Sequence, residues 1–313
     1  MAGFIIRRIL WTIPVILLVI LMIFVMMRQI EGNPFRRTER AVPPQVQANL
    51  ERKFNLDKPV WQQYLLYVKG VFTLDLGPSL ILRDRTVTDI VKEHFPRSIK
   101  LGILAFIWAI VFGIPAGVIA ALRPNTMYDY LLMFFSSIGF ALPSFFVATL
   151  LIYYFALKVN LFPTNGWPTG FWDIDSRVVL PSLALGLYPM AYFARLVRGS
   201  MLETMQQDYV RTARAKGLRW KKVVTRHVFR NSLIPVVTAT APLFGLIITG
   251  TFVIEVIFSI PGIGRYFISS VSNRDYSVVM GITVLTSIVV IIANLFVDIA
   301  YGFLDPRTRT SRT

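Results

Sequence analysis

The sequence predicts an all-α integral membrane protein with six transmembrane helices. Hydrophobic residues make up 55% of the 313-residue chain and charged residues only 16%, whereas a soluble domain has about 25% charged residues. The hydrophobic residues fall into long runs, and a helix needs about 20 of them to cross about 30 Å of hydrocarbon. None of these runs, as bounded below, contains Asp, Glu, Lys, Arg or His. The composition therefore excludes a disordered chain and argues against a soluble enzyme.

Six runs are long enough, or nearly so, for one crossing each, and they span residues 9–27, 101–122, 131–157, 178–194, 232–254 and 278–297. The first run is too long for the core of a typical signal peptide and has no small-residue cleavage pattern, so we expect a retained helix. The chain then divides into residues 1–28 with the first helix, an extracytoplasmic segment 29–100 and a transmembrane domain 101–313.

The distribution of Lys and Arg predicts the orientation in the membrane. With the N-terminus in the cytoplasm, the inner segments hold sixteen of these residues and the short outer loops hold four. Short cytoplasmic loops carry the excess of positive charge in membrane proteins. We therefore expect both termini and the loop 195–231 in the cytoplasm, and the segment between the first two helices outside. The same rule accounts for the net charge of +16 without a nucleic-acid partner.

The extracytoplasmic segment is predicted to be folded. Its apolar residues recur at helical spacing and indicate an amphipathic helix, and they comprise Val60, Trp61, Tyr64, Leu65, Val68, Val71 and Phe72. That helix would lie on the membrane surface or pack over the mouth of the transport path, and the pattern fits both. Thr86 and Asp89 resemble a capping box that starts a short helix through His94, before Pro96 and the second crossing.

The loop 195–231 predicts two short amphipathic helices joined at a glycine. The apolar side of the first helix comprises Leu202, Met205, Tyr209 and Ala213, and that of the second comprises Trp220, Val223, Val224 and Val228. Gly217 lies between them and supplies the left-handed conformation that ends a helix. Ala213, Ala215 and Gly217 are small enough for a partner to come close. On composition alone the loop could lie on anionic lipid, bind RNA or dock a cytoplasmic subunit.

This loop resembles the "EAA" loop of ATP-binding-cassette (ABC) importer permeases, whose general form is EAA-x3-G-x9-I-x-L-P. The run DYVRTARAKGL at 208–218, followed by RH at 226–227 and RNSLIP at 230–235, is similar to the dipeptide, oligopeptide and nickel branch of that family. The resemblance implies contact with an ATPase subunit through Asp208, Tyr209, Arg211, Ala213, Ala215, Gly217, Leu218 and Trp220.

The loop also departs from the general form of the motif. Counting back from Gly217, the EAA positions hold Arg211, Thr212 and Ala213, so only the last alanine is kept, and the proline comes later, at Pro235. The RTARAKGL form is itself typical of the peptide and nickel branch. Shorter matches to that branch follow in order along the chain, at 7–10, 13–15, 54–59, 63–64, 75–77, 79–80, 255–264, 273–276 and 305–307.

The resemblance implies a permease subunit of a binding-protein-dependent importer in the cell inner membrane. Such a subunit forms half of the translocation path for di- or oligopeptides. The implied partners are a second homologous permease, two ATP-binding domains that bring ATP and magnesium, an extracytoplasmic substrate-binding protein, the peptide and the surrounding lipid. Nickel-importing relatives share the motifs, so nickel is the alternative substrate.

The sequence offers no residues for catalysis, cofactor binding or a metal site. It has no cysteine and only two histidines, His94 and His227, which leaves no thiolate zinc site and no multi-histidine site. It has no phosphate-binding loop of the Gly-x4-Gly-Lys type. Because the runs also lack the ionisable groups of proton-coupled carriers, we expect a non-enzymatic subunit powered by its partners. A passive ion channel is the alternative from another class, and the docking loop and the lack of a polar filter disfavour it.

The segment after Glu255 is a candidate outer gate. Pro261, Gly262 and Gly264 interrupt its helical pattern, and the resemblance puts this region near the outer mouth, where the binding protein releases substrate. Irregular backbone at membrane depth is tolerated only where protein or water shields it. We therefore expect a short re-entrant gate, with a plain surface turn as the alternative.

The third run contains candidate residues of the transport path. Ser136 and Ser137 would line a polar path, unless their hydroxyls bond the backbone of their own helix. Pro143 would permit a kink that makes the path hinged, because a proline removes one helical hydrogen bond. The alternative for Pro143 is an ordinary bend in a static bundle.

Overall fold

The computed structural model describes residues 2–29, 55, 57–82, 84–168, 170 and 173–304. Across these ranges the chain is helical apart from turns and one isolated β-bridge between Pro78 and Thr86. The first part of the extracytoplasmic segment and the matched residues 305–307 lie outside the described residues.

Most helices of the described chain follow one another with short connections, and residues 74–86 form a longer one. They are α1 (Ala2–Gln29), α2 (Val60–Thr73), α3 (Val87–Trp108), α4 (Ile114–Leu122), α5 (Met127–Ala141), α6 (Ser144–Leu151), α7 (Val179–Met205), α8 (Asp208–Ala215), α9 (Trp220–Val223), α10 (Arg230–Ser232), α11 (Ile234–Ile257), α12 (Ile263–Asn273) and α13 (Tyr276–Leu304). Three π-helical stretches continue or join them, at Ala109–Gly113, Ile152–Lys158 and Val224–Phe229.

Five helices are long and apolar enough to cross a membrane, and they run over Ile6–Gln29, Val87–Leu122, Ser176–Met205, Ile234–Ile257 and Tyr276–Ile299. A bent pair, Met127–Ala141 with Ser144–Lys158, gives a sixth crossing when it is counted as one span. The described residues therefore confirm an all-helical membrane protein with five or six candidate membrane helices.

The third crossing is not the single helix that the run 131–157 predicts. α5 and the helix that begins with α6 meet at an angle of 109°. Leu142, between them, has an extended backbone with φ −84° and ψ 128°, because the ring of Pro143 disfavours the α conformation in the residue before it. Pro143 is therefore the site of a complete break. Hydropathy is continuous across this point and gives no sign of the bend.

The helix of the second crossing begins earlier in the chain than its apolar run. The predicted capping box is present: the Thr86 side chain accepts a hydrogen bond from the Asp89 amide, and the Asp89 carboxylate accepts one from the Thr86 amide. The expected short helix ending at His94 is wrong, since α3 continues through Pro96. The proline removes the helical hydrogen bond to the Lys92 carbonyl, and the helix continues without it.

The fourth crossing extends well beyond its apolar run. α7 continues to Met205 before the chain turns at Gln207, whose backbone is extended. Leu202 and Met205 therefore lie on α7. Tyr209 and Ala213 lie on α8, so the single helix expected to carry all four is wrong. The end of an apolar run shows where a helix leaves the lipid, and α7 continues past that point.

α7 lies at the centre of the described bundle and contacts α3, α4, α5, α6 and α11. Glycine lets its backbone approach the second crossing closely. A Cβ at Gly186 would lie 2.6 Å from the Ala105 carbonyl oxygen, and a Cβ at Gly117 would lie 2.5 Å from the Ala194 carbonyl oxygen. Membrane helices associate through such close packing because lipid gives them no hydrophobic driving force. The second and fourth crossings therefore form one tightly packed pair.

The amphipathic helix of the extracytoplasmic segment is confirmed as α2, and it packs against α1. The Tyr64 hydroxyl donates to the Leu17 carbonyl at 3.1 Å. Val71 is buried with Ile20 of α1 and Val284 of α13. The predicted apolar side is only partly used in this contact, and its exposed members are Val60, Trp61, Leu65 and Phe72.

Candidate functional site

The end of α7 and the short helices after it form one packed unit, which we call the coupling unit (residues 195–231). Its inner sides share a buried apolar cluster that includes Val197, Met201, Val210, Ala213, Val223, Val224 and Val228. α8 has 8 residues and α9 has 4, and helices this short are unstable in isolation. Their packing on α7 therefore makes the coupling unit a preformed structure.

α8 ends in a Schellman motif at Gly217. The Leu218 amide donates to the Ala213 carbonyl at 3.4 Å, and the Gly217 amide donates to the Arg214 carbonyl at 2.9 Å. These are the two hydrogen bonds of that motif. Gly217 has φ +75°, as the sequence predicts, and a Cβ placed there would meet nothing within 4 Å. Backbone conformation, and not lack of space, therefore favours glycine at this position.

Ala213 faces the core of its own chain, which corrects the expectation that it lies on the face offered to a partner. It is 6% exposed and belongs to the buried cluster of the coupling unit. An amphipathic pattern marks a face that will be buried but does not identify what buries it. The candidate coupling residues that remain exposed are Asp208, Tyr209, Arg211, Ala215, Gly217 and Trp220, and Leu218 is half-buried.

The two exposed aromatic side chains of the coupling unit are held in place by neighbours. The Asn231 side-chain amide donates to the Tyr209 hydroxyl at 2.9 Å, which ties α8 to α10. The Arg214 guanidinium lies over the Trp220 ring, 3.8 Å from its centroid, in a cation–π contact. These contacts fix the orientation of the short helices relative to each other.

The turn between α11 and α12, which we call the outer turn, is buried and is not a plain surface turn. Ile260 and Ile263 have no exposed surface. Glu255 is also fully buried, and its Oε2 accepts a hydrogen bond from the Gly264 amide at 2.7 Å. The expectation that no crossing carries an ionisable residue is therefore wrong, since Glu255 lies within α11. The predicted run ends before this residue only because the run was bounded at an acidic residue.

The glycines of the outer turn make room for this carboxylate. A Cβ at Gly262 would lie 2.4 Å from the Glu255 carboxyl carbon, and its three nearest neighbours are all atoms of that side chain. A Cβ at Gly264 would lie 2.8 Å from Glu255 Oε2 and also 2.4 Å from the Phe252 Cα atom. The outer turn and Glu255 are therefore one structure, in which the backbone wraps around the carboxylate.

α3 contacts the outer turn through three side chains. The Ile263 amide donates to Ser98 Oγ at 3.0 Å. Arg97 donates to the Pro261 carbonyl at 3.2 Å, and His94 Nδ1 lies 3.0 Å from the same oxygen. His94 is thus a structural residue. In the described ranges no group of three or more His, Cys, Asp or Glu side chains is arranged to hold a metal ion.

Two of the matched outer segments meet at a buried carboxylate. Asp275, just before α13, accepts hydrogen bonds from the Ser79 hydroxyl and, at 3.2 Å, from the Leu80 amide. It also accepts one from the Val278 amide at 3.3 Å, in the first turn of α13. Residues 79–80 are thereby anchored to the loop between α12 and α13. Sequence reasoning missed this contact because the two segments are far apart in the chain.

The candidate path residues have different surroundings. Ser136 is buried on α5. Ser137 is exposed, and its hydroxyl donates to the Met133 carbonyl at 2.8 Å. This is the alternative in which the hydroxyl bonds the backbone of its own helix. Pro143 lies at the break between α5 and α6. Of the three, Pro143 has the clearest structural effect.

Two family models match the chain. The model described as "Binding-prot-dependent transport system membrane comp, N-term" covers residues 1–102. The model described as "Binding-protein-dependent transport system inner membrane component" covers residues 113–310. Together they match nearly the whole sequence.

Curated relatives match over the full length. The chain is 44% identical over 309 residues to the "Dipeptide transport system permease protein DppB" of Bacillus subtilis (strain 168), which covers 99% of this chain and 98% of that protein. It is also 44% identical to the "Oligopeptide transport system permease protein OppB" of Salmonella typhimurium, over 99% of this chain and 100% of that protein.

Solved structures share the fold. An inward-facing conformation of the MetNI methionine ABC transporter has a TM-score of 0.55 at 16% identity, over 69% of this chain and 96% of that chain. An amino acid ABC transporter with histidines has a TM-score of 0.52 at 14% identity, over 70% of this chain and 94% of that chain. These comparisons confirm the resemblance seen in the sequence. The chain belongs to the family of binding-protein-dependent transport system inner membrane components.

Proposed function

We propose that the chain is the permease subunit of an ABC importer for di- or oligopeptides and forms half of the translocation path in the cell inner membrane. The main support is the full-length similarity, at 44% identity, to permeases named for dipeptide and for oligopeptide transport. A second homologous permease would form the other half. Two ATP-binding domains, with ATP and magnesium, and an extracytoplasmic substrate-binding protein would complete the transporter.

The proposed topology has both termini and the coupling unit in the cytoplasm and residues 29–100 outside. The asymmetry of Lys and Arg supports it. The contacts of the outer segment support it too, because Ser79 reaches Asp275 near the outer turn, at the opposite end of α11 from the coupling unit. Residues 101–313 would then be the permease domain.

The exposed surface of α8 and Gly217, with Trp220 at its edge, is the proposed contact with an ATPase subunit. The coupling unit is packed on its own chain, so docking would cost little ordering of the loop. Ala215 and Gly217 leave the backbone accessible to a groove on the partner, while Tyr209 and Trp220 flank them. α10 ends at Ser232 and α11 begins at Ile234. A displacement of the docked unit would therefore pass directly into α11.

Glu255 is the proposed link between α11 and an outer gate. It lies near the far end of α11 from the coupling unit, and its carboxylate is enclosed by Gly262 and Gly264. A movement of α11 would carry the outer turn with it. The contacts from Ser98 and His94 of α3 would change at the same time. One helix would thus connect ATPase docking to the opening of the outer end.

Reconstitution of the complete transporter in proteoliposomes tests this function. We expect ATP-dependent accumulation of a radiolabelled dipeptide or pentapeptide when the binding protein is present. An ATPase subunit with an inactivated catalytic site is the control and should abolish accumulation. The permease alone should hydrolyse no ATP, because its sequence has no phosphate-binding loop.

Three outcomes would contradict the proposal. Uphill uptake by the lone chain under a proton gradient would indicate a secondary carrier. A steady ionic conductance without ATP would indicate a channel. Accumulation of radioactive nickel, with no peptide uptake, would assign the transporter to the nickel importers of the same branch.

A further inference from the structure

An apolar groove of about 560 Å³ lies between α4 and the helical segment 220–229 of the coupling unit. On the α4 side its lining includes Val118, Ile119 and Leu122, and on the facing side it includes Trp220, Val224 and Phe229. Val118, Ile119 and Leu122 share one side of α4 by their spacing, and the other three line the groove from the facing segment. The volume lies within the range of small-molecule sites, about 300–1,000 Å³. We call this feature the α4 groove.

The polar side chains of the α4 groove lie at its exposed rim. Lys221 and Thr225 line the groove and are exposed. Lys222 and Arg226, beside them on the same segment, are exposed as well. The sequence 219–230 contains five Lys or Arg and no Asp or Glu, and α4 carries no charge. The groove therefore has an uncharged floor and a positively charged rim.

We propose that the α4 groove binds an anionic phospholipid of the cytoplasmic leaflet, with an acyl chain along the apolar floor and the phosphate beside Lys221. The proposal rests on the cytoplasmic position of the coupling unit proposed above. A phospholipid supplies an apolar chain and a negative head in one molecule, which matches both parts of the groove. Trp220 at the rim fits a position at the level of the lipid head groups, since tryptophan is enriched where membrane meets water.

A bound lipid would join two parts of the transporter. α4 belongs to the second crossing, and residues 220–229 belong to the coupling unit. The lipid would fill the space between them and hold the coupling unit against the membrane end of the bundle. Each Lys or Arg near the surface strengthens binding of anionic lipid by a factor of about five.

The test uses the assembled transporter in detergent, titrated with phosphatidylglycerol or with phosphatidylcholine of the same acyl chains. Native mass spectrometry counts the bound lipids and reports assembly in the same spectrum. We expect retention of phosphatidylglycerol in preference to phosphatidylcholine, and a loss of about fivefold in its affinity in Lys221→Gln. Thr225→Trp fills the groove from its exposed rim and should remove the site for both lipids.

Lys92→Gln is the matched control, because it makes the same charge change at an exposed position outside both the groove and the proposed ATPase contact. Equal losses in Lys92→Gln and Lys221→Gln would show general surface attraction and overturn the proposal. Cross-linking of Thr225→Cys to the second permease in the assembled transporter would also overturn it, by showing a subunit interface. The measurement needs no transported substrate, so lipid binding can hold or fail independently of the peptide assignment.

Discussion

Arg198 on α7 donates two hydrogen bonds to the carboxylate of Asp129 on α5, from Nε to Oδ1 at 2.6 Å and from Nη2 to Oδ2 at 2.7 Å. The backbone amide of Asn125 donates to the same carboxylate at 3.0 Å. Asp129 is 1% exposed and the Arg198 side chain 27%. A bidentate pair of this kind adds geometric specificity to its energy. It fixes the turn between α4 and α5 to the part of α7 that leads into the coupling unit.

Removal of this arginine should cost more stability than removal of the aspartate. Arg198→Ala leaves a buried carboxylate without its cation, and breaking a buried pair in this way costs about 3 kcal/mol or more. Asp129→Ala leaves a guanidinium that reaches solvent, so we expect a loss of about 1–2 kcal/mol. Thermal unfolding of the assembled transporter in detergent measures both. Equal losses, or a double variant no more stable than Arg198→Ala, would contradict this account.

The orientation of the chain can be read with single cysteines, because the chain has none of its own. Lys58→Cys and Lys216→Cys replace exposed lysines in the outer segment and in the coupling unit. We expect an impermeant thiol reagent to label Lys58→Cys in intact spheroplasts, and Lys216→Cys only after lysis. The unsubstituted chain gives the background. The opposite labelling pattern would reverse the proposed topology.

Gly217→Val should uncouple ATP hydrolysis from uptake while the chain still inserts into the membrane. Valine is strained at φ +75°, since β-branched residues avoid this region. Because the left-handed conformation costs about 1–2 kcal/mol even without branching, we expect uptake to fall by about tenfold or more. Gly217→Asn is the matched control and should retain near-normal uptake, because asparagine visits this conformation.

ATP-driven peptide uptake and the amount of ATPase bound to membranes are the measurements for the Gly217 pair. The docking proposal predicts that Gly217→Val loses one or both. Normal uptake in Gly217→Val, with defects confined to Lys221→Ala and Lys222→Ala, would mean that the loop only rests on lipid.

Gly262→Ala should be harmful alone and nearly neutral when Glu255 is also alanine. The new methyl group would lie 2.4 Å from the Glu255 carboxyl carbon, and overpacking of this kind costs about 1–3 kcal/mol. In the Glu255→Ala background that space is free. Gly264→Ala is the control, because its methyl group would still lie 2.4 Å from the Phe252 Cα atom and should remain harmful in both backgrounds.

The Gly262 series is measured as a double-mutant cycle, with thermal stability and peptide uptake as readouts. The expected result is a favourable coupling between Glu255→Ala and Gly262→Ala that exceeds the coupling with Gly264→Ala. Additive effects of Glu255→Ala and Gly262→Ala would show that the outer turn does not enclose the carboxylate in the working protein.

The apolar runs predicted most crossings because lipid imposes both a length and a composition on a spanning helix. The same reasoning misplaced helix ends where the residues become polar but the helix continues. Met205 ends a helix that had already left its apolar run, and Glu255 is an acidic residue inside a helix that buries it. Pro143 did carry a readable signal for the broken crossing, through its effect on the residue before it.

The candidate site was less predictable from the sequence than the fold. Gly217 was placed correctly because its role depends on local backbone conformation. Ala213 was not, because the choice between the chain's own core and a partner is made by tertiary packing. The pair of Asp129 and Arg198 joins residues that no periodicity relates, so only the folded chain reveals it.

α7 is longer than a single crossing of the bilayer requires. Its 27 residues extend over about 40 Å, whereas the hydrocarbon core is about 30 Å thick. On the proposed topology the surplus projects as a lever, with α8 and α9 at its tip. Natural bilayers differ in thickness by a few Å, and a thicker one leaves less of the lever outside. On that topology, we expect a membrane with longer acyl chains to hold α8 and α9 closer to its surface.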